Sequence, residues 1–283
     1  MKFLFIFLFC FFSIVQAQST KTIKVVIEQG VLRDYKIFIK DKNPLEVNNF
    51  KEKGTRRSVV ELVLLQQALH KGGYEVNIEF MTSPTSSREL LQIKDASAIT
   101  AATSLWLHNL ETISDFIYIS DPLIRNEEFE AGLYTVHTNK KVLSMKTIEE
   151  IQTLTAISNK NWIPDWHTLE ELKLKKVLHT LKWKSMTRMI NANRGDFLLA
   201  EFQSTPDLSF KTEDIKFLPI PNLKVGLKGS RHFAISKKYK DSKKIFLALN
   251  KGLKILRKEG KIKKAYIESS FFNVKVKHWK KLN

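Results

Sequence analysis

A chain of 283 residues allows one large domain or two ordinary ones, at roughly 100–200 residues each. With 43% hydrophobic and 27% charged residues the balance is globular, which excludes disordered and fibrous classes. A single cysteine excludes a disulfide framework and any Cys-rich metal centre, and a formal net charge of +18 makes the surface basic.

The chain opens with Met1-Lys2, then an apolar run from Phe3 to Phe12 that extends to Val15 with only Ser13 interrupting. That run is too short for a hydrocarbon core, which takes about 20 residues to cross. A positive start, a short apolar run and the small-residue exit Val15-Gln16-Ala17 describe a secretory signal peptide over 1–17. Cleavage is expected after Ala17, leaving an exported chain that starts at Gln18. Cys10 follows Phe9 inside the run and leaves with it, so the mature chain has no thiol.

Thr22–Gln29 is β-branched and apolar, a buried strand. Arg33–Phe50 is polar and irregular, a long loop or hairpin. Ser58–His70 repeats apolar residues at helical spacing and stops at Gly72-Gly73. Tyr74–Phe80 alternates as a strand, Ser86–Ile93 reads as a short helix with a serine cap, and Ala96–Ala102 as a small-residue strand. This β-α-β-α-β order predicts a largely parallel sheet flanked by helices. A second set follows: strands over Gly132–His137, Leu154–Ser158, Val177–Thr180 and Phe197–Phe202 alternate with helices over Thr147–Gln152, Asp165–Leu174 and Lys184–Ala192. Asp165 or Thr168 is the expected cap of the middle helix. Asp214–Pro221 and Lys224–Ser230 read as a Pro/Gly-rich crossing. Phe233–Ser236 is a strand, and Lys243–Lys258 and Lys261–Glu268 are helices broken at Gly260.

Several phrases carry a resemblance. Ile119–Lys140 (ISDPLIRNEEFEAGLYTVHTNK), Lys146–Ser158, Met186–Phe202 and Ile245–Tyr266 resemble segments of the bacterial extracellular solute-binding protein family 3. A narrower likeness, to its uncharacterised transporter-like members, rests on Ser87–Leu90, Ala102–Ser104 and Trp162–Asp165. The resemblance implies an α/β, two-lobed periplasmic-binding-protein-like fold, each lobe a mostly parallel sheet flanked by helices, with the ligand cleft between lobes. It places the first lobe at 18–128 plus 228–283 and the second at 131–222. It implies a periplasmic, monomeric protein that captures a small polar molecule, amino-acid-like or an amine, for an ABC permease. The alternative is a ligand-sensing or accessory binding protein at the membrane.

No GxSxG, HExxH or Gly-rich phosphate loop occurs, and the seven histidines show no metal spacing. The expectation is a binding protein rather than an enzyme, with no metal, no cofactor and no nucleic-acid partner; a secreted hydrolase with a dispersed triad is the weaker alternative.

In the family, an Arg near the end of the third strand holds the ligand carboxylate. The matching stretch, Thr103–Glu111, contains no Arg or Lys; His108 and Asn109 stand nearest. Either Arg125 or Arg231 supplies the anchor, or the ligand lacks a carboxylate. Glu201 ends the apolar run FLLAEF, where the family's acid binds the ligand ammonium; its alternative is an ion pair with a structural Lys. Trp162, before Pro164-Asp165 at a helix start, either covers a ligand or packs in the lobe, and Trp106 and Tyr134 are weaker candidates of the same kind. The expected ligand set is therefore Glu201, Trp162, Ser104, Trp106, Arg125, Asp165 and Arg231. A cleft with a carboxylate and no facing Arg would favour amines or neutral polar ligands over acidic amino acids. Residues 237–283 hold sixteen Lys and Arg against three acids. That is either a solvated helix face or a surface for anionic lipid or an acidic partner.

Overall fold

The computed structural model describes residues 21–283; the expected signal peptide and its cleavage point after Ala17 lie outside the described residues. Strand β1 (Lys21–Glu28) is the centre of the first sheet, and Val25, Val26 and Ile27 are all buried because both faces of the sheet are packed, Val25 and Ile27 in one apolar cluster and Val26 in another. It runs directly into helix α1 (Gln29–Ile39), part of which falls where the sequence suggests a loop. Val31, Tyr35, Phe38 and Ile39 recur at helical spacing and are buried, while the polar residues between them form the outer face and dilute the pattern. Helix α2 (Arg57–Lys71) buries eleven of its fifteen residues and stops at Gly72. A helix apolar nearly all round is enclosed on every side. Strand β2 (Val76–Ser83) pairs in parallel along the whole of β1. Helix α3 (Ser86–Lys94) is capped by Thr85 rather than by a serine: its hydroxyl accepts from the Arg88 amide at 3.3 Å. Strand β3 (Thr100–Ala101) pairs in parallel with the other edge of β1, giving the order β2-β1-β3. The short elements β4 (Leu105–Trp106), α4 (Leu107–Glu111) and β5 (Ile117–Ile119) complete this half.

The second lobe begins with β6 (Glu130–Val136), followed by α5 (Lys140–Leu143) and by α6 (Ile148–Gln152), which a Thr147–Glu150 capping box opens. Next come β7 (Thr155–Ser158), α7 (Ile163–Glu171), β8 (Lys176–His179), α8 (Trp183–Asn191), β9 (Leu198–Glu201), β10 (Phe210–Thr212) and β11 (Ile215–Gly226). Strands β10-β11-β6-β9 pair antiparallel, and β7 pairs in parallel with β8. Helix α7 starts at Ile163, two residues before the expected Asp165 cap, because Pro164 fits a first turn whose N–H groups have no partner anyway. Strand β11 runs through Pro219 and Pro221 to Gly226, over much of the expected Pro/Gly-rich crossing. Its register shifts between Pro219 and Lys224, and a bulge is where a sheet tolerates proline.

The chain then returns to the first lobe. Strand β12 (Arg231–His232) pairs with β4, and β13 (Ala234–Ser236) with β5. Helices α9 (Ser242–Lys258) and α10 (Lys261–Glu268) follow, and β14 (Lys280–Lys281) joins β11 in parallel. Helices α2 and α9 cross backbone to backbone: a Cβ on Gly252 would lie 1.7 Å from the Ala68 carbonyl oxygen, and one on Gly72 1.9 Å from that of Ala248. This crossing fixes α2 with its first turn at the gap between lobes. The two crossings lie side by side, since Glu130 and Ala131 of β6 pair with Gly226 and Val225 of β11.

Candidate ligand-binding cleft

A cavity of about 480 Å³ lies between the lobes and draws its walls from both. The first lobe contributes Arg57 from α2, Trp106 from β4 and Arg231 from β12. Second-lobe residues in the wall include Trp162 and Asp165 around the start of α7, Trp183 from α8 and Glu201 from the end of β9.

The first-lobe wall is cationic and rigidly held. Arg231 donates through Nε to the Ser104 hydroxyl at 3.1 Å and through Nη2 to the Ser104 carbonyl oxygen, and its guanidinium lies 4.8 Å from the Trp106 ring centroid. Ser104 in turn donates from its amide and its hydroxyl to Glu61, at 2.9 and 2.8 Å. Glu61 is fully buried and also accepts from Arg57 Nη1 and from the Tyr266 hydroxyl, both at 2.9 Å. Four hydrogen bonds, one of them from the Arg57 cation, satisfy this carboxylate, which a buried charge requires. Burial would lower Arg57, but the Glu61 charge and hydrogen bond outweigh it and hold the group above its ordinary value. Arg231 gains less. Burial, and then the Arg57 charge, push it down to about 9, so it is charged at neutral pH but under-compensated.

The second-lobe wall is acidic and aromatic. Burial, and then the charge of Glu201, push Asp165 up to about 6. Glu201 is exposed at its strand end and has no ion pair among the described residues. Trp162 is half-buried and packs on Trp183, centroids 6.3 Å apart; Trp183 packs on Phe210 at 5.6 Å, and Phe210 stacks on Phe217 at 4.9 Å. The aromatic wall is continuous with the second-lobe core.

Of the residues singled out in the sequence, Glu201, Trp162, Trp106, Asp165 and Arg231 line one cavity. Ser104 is fully buried and stands behind Arg231 as its acceptor. Arg125 is exposed on the first crossing and outside the lining, with its amide bonded to Glu128. Tyr134 is a core residue, donating its hydroxyl to the Leu208 carbonyl oxygen at 2.8 Å. His108 and Asn109 lie on α4 and do not line the cavity. The guanidinium missing from 103–111 arrives from β12, 127 positions from Ser104 in sequence, and Arg57 adds a second. Arg57 carries one sequence signal: a basic residue in the first turn of a helix opposes the helix dipole, and α2 has no acid there to offset it. Trp183 and Phe210 carry none, because each is a lone aromatic among polar neighbours, Lys182 and Lys184 in one case and Ser209 and Lys211 in the other, and such a position marks neither core nor site.

Two α/β lobes joined by paired crossings form the two-lobed fold of periplasmic binding proteins. No protein-family model matches the chain, and no curated protein matches it. Solved structures do. One is the extracellular-binding protein ytmK of Bacillus subtilis, at 12% identity and a TM-score of 0.55 over 88% of this chain and 97% of that one. Another is substrate-binding domain 2 of GlnP from Lactococcus lactis in its open conformation, at 15% identity and 0.53 over 89% and 96%. A third is the periplasmic VFT2 domain of BvgS from Bordetella pertussis, at 14% and 0.53 over 88% and 92%. The likeness is one of fold.

Proposed function

We propose that the chain is an exported solute-binding protein that closes on a small zwitterion of amino-acid type. Arg57 and Arg231 take its carboxylate, Asp165 and Glu201 its ammonium, and Trp162, Trp183 and Trp106 cover its body. One observation carries this reading: opposite walls of a single cavity hold charges of opposite sign that their own lobes leave under-compensated. A ligand bearing both charges relieves both walls at once, whereas an amine relieves only one. The amine preference expected from a missing Arg gives way, because two guanidinium groups line the cavity. The moving bodies in this reading are 18–128 with 228–283 and 131–222, hinged at the crossings, and the bound solute is handed to an ABC permease.

A thermal-shift screen with the free amino acids tests it. A selective ligand raises the melting temperature by mass action. Arg231→Met and Asp165→Asn should each weaken that ligand by about tenfold or more, as expected for loss of a charge-assisted contact. A shift with none of them, or one that survives both substitutions, would contradict the reading.

A further inference from the structure

Beside the cleft, where the last residues cross from the first lobe to the second, lies another cavity of about 350 Å³. After α10 the chain packs Phe271 and Phe272 on Tyr266, at centroid separations of 5.2 and 5.0 Å. It then sets Val276 among Phe202, Leu208 and Trp279 and pairs β14 with β11. Asn273 ties the segment down, donating to the Gln203 carbonyl oxygen at 2.9 Å. The floor of the cavity is apolar: Ile267, Phe271, Phe272, Val274 and Val276. Part of it is open to solvent, since Val274 is 59% exposed and both phenylalanines are only half-buried.

The rim is charged and unbalanced. Its three carboxylates are already taken: Glu127 pairs with Lys228 at 2.5 Å, Glu128 with Arg257 at 3.5 Å, and Glu130 with Lys224 at 2.8 Å and Lys281 at 3.6 Å. Lys263 and Lys277 line the same cavity, both exposed, and neither ammonium is in an ion pair among the described residues. An apolar floor with two free cations at its edge has the chemistry to hold an anion with an apolar body. It offers no free carboxylate to an amino group, so a zwitterion gains nothing there.

We propose that this cavity is a second binding site, for a small organic monoanion such as an aliphatic or aryl carboxylate, with its charge at Lys263 and Lys277 and its chain on the Phe271–Phe272 floor. The volume is ample for a body of about ten non-hydrogen atoms at ordinary packing. Because Phe271 lines this cavity and the cleft alike, the test needs a control in each.

Octanoate and phenylacetate, with octylamine as the charge-reversed probe, are titrated by calorimetry and ligand-observed NMR. Octanoate or phenylacetate should bind saturably and octylamine should not. The pair Lys263→Glu with Lys277→Glu should weaken binding by about tenfold or more, and Val274→Glu, at an exposed floor position, should abolish it. Asp165→Asn and Arg231→Met, in the cleft, should leave it unchanged. The proposal is overturned if neither carboxylate binds saturably up to about 10 mM, a ceiling already weak for a specific site. It is equally overturned if octylamine binds as well as octanoate, or if Arg231→Met removes binding that the lysine pair does not.

Discussion

Asp165 is the residue at which stability and binding oppose each other. Its carboxyl ionises at about 6 in the folded chain against an ordinary 3.8, so between those values the native state holds a proton that the unfolded state has released. Native stability therefore falls as pH rises through that window. Asp165→Asn removes the loss. In the absence of ligand the variant should be more stable than wild type at pH 7 by about 1–3 kcal/mol, with the gain vanishing near pH 4. Urea unfolding at the two pH values measures this. The same substitution should weaken the captured amino acid, and wild-type affinity should drop below about pH 6 as the carboxyl takes up its proton. Glu61 works the other way. It is buried, saturated with hydrogen bonds and holds both guanidinium groups in place, so Glu61→Gln should cost about 3–5 kcal/mol in denaturant unfolding, as when one partner of a buried pair is removed. The acidic wall of the cleft was anticipated from Glu201, which ends an apolar strand where the resembled family holds its acid, and from Asp165, which lies in the first turn of α7 rather than at its cap. The cationic side was legible only in part. Arg231 reaches Ser104 through pairing of two-residue strands far apart in the chain, and no local pattern encodes that.

At the scale of elements, the crossing of α2 and α9 sets where Arg57 stands. Gly252 lies inside a helix, where alanine is intrinsically better by about 1 kcal/mol. Here the sign reverses, because the added methyl would meet the Ala68 backbone at 1.7 Å and drive the helices apart. Gly252→Ala should lower stability by about 1–3 kcal/mol, the usual cost of overpacking, and should weaken cleft binding as α2 shifts. Denaturant unfolding alongside calorimetry checks both effects. Most elements were readable because their apolar period is strong: α2, α9 and the strands around them fall where the pattern puts them. Helix α1 was not, because its buried stripe is thin and it leaves β1 without a linking residue. Strand β11 was obscured by Pro219 and Pro221, whose breaking effect a bulge absorbs.

For the whole molecule, the alternation of β/α units could be read from the residues, while the return of the chain to the first lobe was implied by the resemblance; in the structure β12 and β13 pair with β4 and β5. The cleft between the lobes entered only through the family resemblance, and its lining could be anticipated only in part, since Arg57, Trp183 and Phe210 reach it from elements far apart in the chain. Its dipolar character is what the functional reading depends on. The most direct measurement is calorimetric titration of wild-type protein with its preferred amino acid from the thermal-shift screen, beside that compound's methyl ester and its N-acetyl derivative. If Arg57 and Arg231 grip the carboxylate and Asp165 and Glu201 the ammonium, the free amino acid should bind and each blocked form should lose about a hundredfold or more, since each loses one charge-assisted anchor. Equal binding of the ester or of the N-acetyl derivative would contradict a cleft that reads both charges of its ligand.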